Sequence, residues 1–248
     1  MKKKYKFFAV SDIHGFYTEL KKALDEAGFD PDDESHVLVG GGDYFDRGYE
    51  NIEVYKYLRS LKRKILVRGN HEDMLLRVLD AGGINYIDVH NGTDITVAQF
   101  FGEGKLSSDG TLYADERTEL MLREFIGAAV DYFESEKYVF VHGWVPIVDM
   151  GDKTQPHPMW RMAKERDWAR ARFTAWNDMY KKGCMIRGKT LVCGHRVAAY
   201  GCLFDPKRAQ NDTSPYYGDG VIAIDACTAV SGRVNVVVIE DMAELTFE

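Results

Sequence analysis

The 248-residue sequence predicts an α/β fold in which helices cover both faces of a largely parallel sheet. Short apolar runs, typical of buried strands, alternate with amphipathic segments over the first eighty residues. Motifs rich in Asp, His and Gly directly follow several of those apolar runs. The last strands of the chain have a hairpin-like pattern, which indicates a second, more antiparallel sheet.

The first eighty residues predict alternating strands and helices. The expected strands are continuous apolar runs and lie at residues 5–10, 37–39 and 65–67. The expected helices carry apolar side chains at helical spacing and lie at residues 17–27, 51–61 and 72–79. Gly28 directly follows the first helix, a position at which helices commonly end.

The middle of the chain, residues 82–130, interrupts this alternation. Glycine-containing pairs at 82–83 and 91–92 are loop signals, and residues 116–130 have helical spacing. Because no linker-like composition flanks this segment, we interpret it as a helical excursion from a single domain spanning residues 1–248. The later elements comprise one Trp- and Arg-rich helix and four strands, expected at residues 166–182, 138–141, 190–193, 221–225 and 234–239.

Composition and charge limit the possible partners and compartments. The 45% hydrophobic and 29% charged residues are ordinary for a globular protein, and the net charge of −7 does not favour nucleic-acid binding. No apolar stretch approaches the ~20 residues that cross a bilayer. The four cysteines form no Cys-x-x-Cys pair and are expected to be reduced. We therefore expect a cytoplasmic protein without nucleic-acid or membrane partners.

Five predicted strands are each followed by residues that can bind divalent cations. In strand order these residues are Asp12 and His14, Asp43, Asn70 and His71, His142, and His195. Ligands bind beyond the carboxyl ends of strands in open α/β sheets, and Asp, Asn and His suit borderline divalent cations. One histidine after a strand is more often structural, but five coincident motifs favour a shared metal site.

The number of candidate ligands indicates two metal ions. The candidates are Asp12, His14, Asp43, Asn70, His142 and His195. One ion needs three or four protein ligands, whereas two ions bridged by a carboxylate and a hydroxide use all six. Asp43 is the expected bridge, because a carboxylate has two oxygens to share.

Other residues at the strand ends have chemistry suited to phosphate ester hydrolysis. A leaving alkoxide needs a proton, which His71 can donate, and Arg47 can bind two phosphoryl oxygens at once. A structural histidine and a surface ion pair are the respective alternatives. A second arginine is expected in residues 158–161 or 166–172, and we favour Arg161 because it precedes a helix in a loop that can fold over the site.

These motifs, taken in order, resemble the signature of the phosphoprotein phosphatase family, in the bacterial and phage branch of the calcineurin-like metallophosphoesterases. They are Asp-x-His at 12–14, Gly-Asp-x-x-Asp-Arg at 42–47 and Gly-Asn-His-Glu at 69–72, and the resemblance extends to His195. It implies a two-sheet β-sandwich flanked by helices on both sides, with the site at one edge.

The resemblance also implies a role for each motif residue. One metal would be held by Asp12, His14 and Asp43, and the other by Asp43, Asn70, His142 and His195. His71 would protonate the leaving group, paired with Asp46, and Arg47 would bind the substrate phosphate. We further expect Asn70 and Arg161 to contact that phosphate. The sequence departs from eukaryotic members of the family at two places that concern substrate choice rather than metal binding. Gly143-Trp144 stands after His142 where those members have a Gly-Gly pair, and the last ligand lies in Gly194-His195-Arg196, as in bacterial and phage members.

We therefore expect a dinuclear-metal hydrolase of phosphate monoesters, in the first place a serine/threonine protein phosphatase. In this mechanism a metal-bridging hydroxide attacks phosphorus in line and His71 protonates the leaving group. Manganese is the expected metal, with iron and zinc as alternatives. The expected substrates are phosphorylated proteins or small phosphoesters.

Two alternatives remain. The first is a symmetrical diadenosine tetraphosphate hydrolase acting on dinucleoside polyphosphates, for which Trp144 and Trp160 offer aromatic surfaces. The second is a non-catalytic metal-binding module. The presence of His71 and Asp46 beside the metal ligands disfavours that module, because binding alone needs no proton donor.

Overall fold

Two β-sheets pack face to face in the structure, a computed structural model that describes residues 2–247. The first sheet has the order β11-β1-β2-β3 and consists of β1 (Lys3–Val10), β2 (His36–Gly40), β3 (Lys64–Leu66) and β11 (Val237–Ala243). The second has the order β4-β5-β8-β10-β9 and consists of β4 (Phe133–Glu134), β5 (Tyr138–Phe140), β8 (Thr190–Cys193), β9 (Tyr216–Gly218) and β10 (Val221–Ala223). A hairpin is formed by β6 (Ile147–Asp149) and β7 (Thr154–Pro156).

Helices cover the outer face of each sheet. Those packed on the first sheet are α1 (Tyr17–Glu26), α2 (Asn51–Ser60), α3 (Asn70–Ala81), α5 (Thr93–Phe101) and α6 (Glu116–Gly127). Those packed on the second are α7 (Glu165–Arg172) and α8 (Trp176–Lys181). The remaining helices are α4 (Tyr86–Asn91), α9 (Thr228–Ser231) and two 3-10 turns at Trp160–Met162 and Ala198–Leu203.

Three apolar cores hold these layers together, one between the sheets and one under each helical layer. Between the sheets, the Phe7 and Phe140 rings lie 5.9 Å apart, and Val37 and Val192 are buried beside them. Fully burying one such side chain contributes roughly 1.5–3 kcal/mol. β1 and β2 are buried on both faces, which explains their nearly continuous apolar sequences. The expected sandwich flanked by helices is confirmed.

The last strand pairs differently from the expectation. β11 lies antiparallel to β1 in the first sheet, with Lys3 opposite Ala243, and so does not extend the second sheet. Within the second sheet, two of the four strand pairs are parallel. The local sequence of β11 predicts a strand, but its partner is set by long-range packing.

The helix expected at 166–182 is divided into α7 and α8. The break is explained by the loop after β5, because the Trp144 N–H donates to the Ala171 carbonyl at 3.0 Å. A side chain at Gly143 would crowd the carbonyls of Ala171, Arg172 and Thr174, so the loop approaches at a glycine. This close approach turns the chain at residues 173–175.

Residues 82–130 carry α4, α5 and α6. The loop signal at residues 91–92 marks the junction of two helices, where Gly92 adopts a φ of 83°. That left-handed conformation is readily adopted by glycine.

The assignment of residues 1–248 to a single domain stays a prediction. None of the helices within residues 2–247 has the length and apolarity needed to span a membrane.

Candidate active site

The strand ends meet in one cavity of about 510 Å³ at the edge of the sandwich. The predicted residues that line it are Asp12, His14, Asp43, Arg47, Asn70, His71 and His195. Asp46 and His142 are buried directly behind this lining, where they contact His71 and Asn70 respectively. The cavity forms at the carboxyl ends of parallel strands, as expected for an α/β sheet.

The backbone around this cavity is strained. Among residues 2–247, the non-glycine residues with positive φ are Asp12, His14, Asp43, Asp46, Arg47, His195 and Cys227. All of these except Cys227 were singled out from the sequence. A residue in such a conformation costs of order 1–3 kcal/mol, and such strain clusters at functional sites. The fold therefore imposes these conformations at the ends of its strands.

Asp43 lies at the centre of the site. Its Oδ2 atom is 3.8 Å from His14 Nε2, 3.8 Å from His71 Nε2 and 3.3 Å from His142 Nε2. Burial alone would raise the pKa of Asp43, but the neighbouring His142 and His71 outweigh burial and hold that pKa well below its usual value. The carboxylate therefore stays ionised although it is buried.

Two groups of ligand atoms share Asp43. One comprises His14, Asp43 and His71, the other comprises Asp43, His142 and His195, and the atoms of each group lie within 4.8 Å of one another. Imidazole nitrogens and carboxylate oxygens in such a set suit a borderline divalent cation. Each group therefore fits a metal ion, with Asp43 common to both.

Asp12 and Asn70 lie beside these groups. The Asp12 carboxylate accepts the His195 backbone N–H, at 3.0 and 3.2 Å to its two oxygens. The Asn70 Oδ1 atom is 2.9 Å from His142 Nε2. Asn70 thus has an oxygen atom close to the second group. Asp12, expected to share a metal with His14 and Asp43, lies outside their group of ligand atoms, which contains His71 instead.

Backbone carbonyls orient the two most deeply placed histidines. His14 Nδ1 lies 2.9 Å from the Phe45 carbonyl, and His142 Nδ1 lies 2.8 Å from the Gly41 carbonyl. A carbonyl accepts the Nδ1 proton, so Nε2 is left free to bind a metal. Burial would lower the pKa of His142, but Asp43 and Asp12 outweigh it and raise that pKa to about 10, so a metal ion bound at Nε2 would have to displace a proton.

His71 and Asp46 form a buried pair. His71 Nδ1 lies 2.7 Å from Asp46 Oδ2, and Thr96 and Thr93 of α5 donate to the two Asp46 oxygens at 2.6 and 2.9 Å. Burial opposes protonation of His71, but Asp43 and Asp46 outweigh it and raise its pKa. A raised pKa favours the protonated imidazole that a proton donor needs.

Glu72 is a supporting residue that the sequence interpretation missed. Its carboxylate accepts the backbone N–H groups of Asp43, Tyr44 and Gly69 at 2.8–2.9 Å, which ties the loop after β2 to the loop after β3. A Glu three residues after the N-terminal cap of a helix is a capping signal. That signal could have identified Glu72. By contrast, nothing local connects Thr93 and Thr96 to Asp46.

Arg161 lies outside the cavity, contrary to expectation. Its guanidinium donates to both Glu134 oxygens, at 2.6 and 2.8 Å, and lies 4.2 Å from the Trp160 ring centroid. It is absent from the residues that line the cavity. The expected loop does not fold over the site, because Arg161 is paired elsewhere. In the other candidate stretch, the buried side chain of Arg172 pairs with Asp73, Asp131 and Glu165.

The tryptophans are also unavailable to a substrate. All four are buried in the core under the second helical layer: Trp144, Trp160, Trp168 and Trp176. The aromatic side chain that lines the cavity is Phe173, which is 54% exposed and lies with its ring centroid 6.0 Å from that of His195. Any aromatic contact with a substrate in this cavity therefore involves Phe173.

Comparison with known proteins identifies the family to which this chain belongs. Residues 5–207 match the family model of calcineurin-like phosphoesterases. The chain belongs to the calcineurin-like phosphoesterase family. Members of this family use divalent metals, which the two histidine and aspartate groups fit.

Relatives within the family carry two kinds of name. The chain is 32% identical over 202 residues to serine/threonine-protein phosphatase 2 of Salmonella typhimurium, covering 79% of this chain and 82% of that protein. It is 37% identical over 76 residues to a symmetrical bis(5'-nucleosyl)-tetraphosphatase of Aromatoleum aromaticum, covering 30% of this chain and only 27% of that relative's length. A cold-active protein tyrosine phosphatase has a similar fold, with a TM-score of 0.56 at 16% identity over 94% of this chain and 73% of that one.

Gly194 offers a test of how closely the loops must approach. A Cβ atom at Gly194 would clash with Asp12 Oδ2 and Ser11 Oγ, so Gly194→Ala should displace the Asp12 carboxylate. We expect manganese affinity and the hydrolysis of p-nitrophenyl phosphate to fall roughly 10–100-fold. Gly127→Ala is the matched control, because no atom lies within 4 Å of its added Cβ. Equal activity in the two variants would contradict the proposed crowding.

Arg161→Ala should leave catalysis intact. We expect its kcat/KM for p-nitrophenyl phosphate to stay within about twofold of wild type, while the lost Glu134 pair lowers the free energy of unfolding by less than about 1 kcal/mol. Arg47→Ala is the comparison, since Arg47 lines the cavity. A loss of kcat/KM in Arg161→Ala as large as in Arg47→Ala would show that Arg161 takes part in binding the substrate phosphate.

Proposed function

We propose that this chain hydrolyses phosphate monoesters as a serine/threonine protein phosphatase, with two divalent cations at the shared Asp43 carboxylate. The proposed ligands are Asp12, His14, Asp43, Asn70, His142 and His195. Manganese is the proposed metal, and iron or zinc would suit the same mixed nitrogen and oxygen donors. The observation that carries the proposal is the His71–Asp46 pair, held at 2.7 Å in the site. His71 also belongs to the first group of ligand atoms, and we propose that it donates a proton rather than binds a metal.

The side chains of the cavity have complementary roles in this reaction. Two bound cations would supply a nucleophile at neutral pH and neutralise charge on the phosphoryl oxygens. Arg47 is exposed at the cavity, and its Nη2 atom lies 3.3 Å from His71 Nε2, so it can bind the phosphoryl group beside the proton donor. Asp46 accepts from Nδ1 and thereby directs Nε2 of His71 towards the leaving group.

The proton donor favours a monoester substrate. The alkoxide released from a serine or threonine ester is strongly basic and needs a proton in the transition state, whereas a phosphate leaving group is much less basic. The His71–Asp46 pair supplies that proton from a histidine of raised pKa. The wide match to the Salmonella serine/threonine phosphatase is consistent with this substrate class.

Dinucleoside tetraphosphates form a second candidate substrate class. The cavity of about 510 Å³ is larger than one phosphoryl group requires, and the exposed Phe173 ring offers a surface on its wall. The Aromatoleum relative carries that activity in its name. The buried tryptophans do not contribute to this case.

For the compartment, we propose the cytoplasm, because all four cysteines are free thiols.

A panel of substrates tests the proposal. Purified manganese-loaded protein is assayed with p-nitrophenyl phosphate, a phosphoserine peptide and diadenosine tetraphosphate. We expect the highest kcat/KM for the phosphoserine peptide and measurable turnover of p-nitrophenyl phosphate. A preference for diadenosine tetraphosphate would support the second candidate instead. Absence of turnover with all three substrates would leave the non-catalytic metal-binding module.

His71→Asn should remove proton donation. We expect turnover of the phosphoserine peptide to fall by about 100–10,000-fold, and turnover of p-nitrophenyl phosphate to fall less, because p-nitrophenolate is a weaker base. His157→Asn is the control, since His157 is half-buried and lies outside the cavity lining. Metal content is measured in parallel. Loss of a metal from His71→Asn would identify His71 as a ligand, and unchanged kcat would remove it from the mechanism.

A further inference from the structure

Three arginines line the cavity, and they differ in their side-chain partners. Arg77 is paired with the buried carboxylate of Asp88. Arg47 lies against His71. Arg196 is exposed, and within residues 2–247 its guanidinium has neither an ion pair nor a hydrogen bond. Within residues 2–247, Arg47 and Arg196 therefore both lack a carboxylate partner, and Arg196 also lacks a side-chain hydrogen bond.

The backbone of Arg196 is fixed although its side chain is free. Its carbonyl accepts the indole N–H of the buried Trp176 at 2.9 Å, and its own N–H donates to the Gly194 carbonyl at 2.7 Å. His195, directly before it, has a φ of 62°. The backbone of His195 is held in this conformation because its N–H donates a hydrogen bond to the Asp12 carboxylate. The guanidinium is thus presented from a rigid loop rather than from a mobile surface segment.

Arg196 and Arg47 serve different parts of the site. Arg47 contacts His71, which belongs to the first group of ligand atoms, whereas Arg196 follows His195, which belongs to the second. Arg196 and His195 both line the same cavity as Asp43. An anion held by Arg196 would therefore lie next to the phosphoryl group bound at the shared carboxylate.

We propose that Arg196 is a specificity-determining residue that binds a second phosphoryl group, directly adjacent in the substrate to the one that is attacked. The guanidinium fork matches two oxygens of a phosphoryl group. The exposed Phe173 ring, edge-on to His195 on the same wall, offers an apolar surface for whatever group that second phosphoryl carries. The inference rests on the proposed phosphoesterase activity and extends its substrates to compounds with linked phosphoryl groups.

Because Arg196 directly follows His195 and both line the cavity, we infer that a phosphoanhydride fits the site better than an acidic peptide. In a phosphoanhydride, one bridging oxygen separates the two phosphorus atoms, so the second anion necessarily lies beside the first. An acidic side chain of a phosphopeptide is separated from the phosphoserine phosphate by many bonds. In hydrolysis of the anhydride, the water oxygen bonds to one phosphorus, the bridging bond to that phosphorus breaks, and the departing phosphate keeps the bridging oxygen.

Binding of two simple anions tests the proposal without turnover. Dissociation constants of imidodiphosphate, a non-hydrolysable diphosphate, and of orthophosphate are measured on manganese-loaded wild type and Arg196→Ala. We expect Arg196→Ala to weaken imidodiphosphate about tenfold or more and to change orthophosphate by less than about twofold, as the loss of one charge-assisted contact would. Arg196→Lys keeps the charge but loses the guanidinium fork, so its affinity for imidodiphosphate should lie between the affinities of wild type and Arg196→Ala.

Arg187→Ala is the matched control, because Arg187 is exposed, lies outside the cavity and has no ion pair within the described part of the chain. Both anions should bind this variant as they bind wild type. Equal weakening of both anions in Arg196→Ala would overturn the proposal by placing Arg196 on the attacked phosphoryl group. No change in either anion would overturn it as well.

Two further assays separate this proposal from the proposed function. If wild type hydrolyses p-nitrophenyl phosphate but Arg196→Ala weakens the binding of both anions equally, or of neither, the proposed function stands and only the role of Arg196 fails. If wild type neither turns over any substrate of the panel nor binds orthophosphate, the proposed function itself fails. A loss of kcat/KM confined to a phosphopeptide with flanking acidic residues, with unchanged imidodiphosphate binding, would assign Arg196 to peptide carboxylates instead.

Discussion

The site depends on a buried carboxylate, Asp43, that faces three imidazoles at 3.3–3.8 Å through a single oxygen. Burying a lone carboxylate is very unfavourable, so its ionised form requires compensating positive charge. Here that compensation comes from the histidines and, in our proposal, from the cations they hold. The same carboxylate belongs to both groups of ligand atoms. Any change that moves Asp43 would therefore affect both halves of the site.

The fold keeps Asp43 in place through strain and through Glu72. Asp43 has a φ of 56°, and its N–H is held by the Glu72 carboxylate, which also holds the N–H of Gly69. In the other sheet, the loop after β8 approaches closely enough that Gly194 has no room for a side chain. Loops from both sheets therefore form the cavity, and the apolar cores between and around the sheets stabilise these strained loops.

The sequence predicts much of this arrangement, for a physical reason. Asp12, Asp43 and His195 each follow an apolar strand closely, and the carboxyl ends of such strands meet at one edge. The layers of the fold can be predicted in the same way, because buried strands and amphipathic helices leave distinct periodic patterns. Local sequence patterns do not predict the partner of β11 or the break between α7 and α8, because each depends on contacts with distant parts of the chain.

Residues that act through space are the ones that local patterns do not predict. Thr96 lies 50 residues from Asp46 and supports it only because α5 packs over the loop after β2. Arg161 has suitable chemistry for a phosphate clamp, but Glu134, 27 residues away, pairs with it instead. Arg196 directly follows a residue that was predicted, yet its free guanidinium becomes evident only from the structure of the cavity.

Counting the manganese ions bound per chain, together with their magnetic coupling in electron paramagnetic resonance, tests the central claim most directly. With Asp43 shared between two sites, wild type should bind two ions that behave as an exchange-coupled pair. Asp43→Asn should lose the coupling and at least one ion, because an amide offers a single oxygen and no charge. A single ion in folded wild type, or two uncoupled ions that persist in Asp43→Asn, would contradict the account.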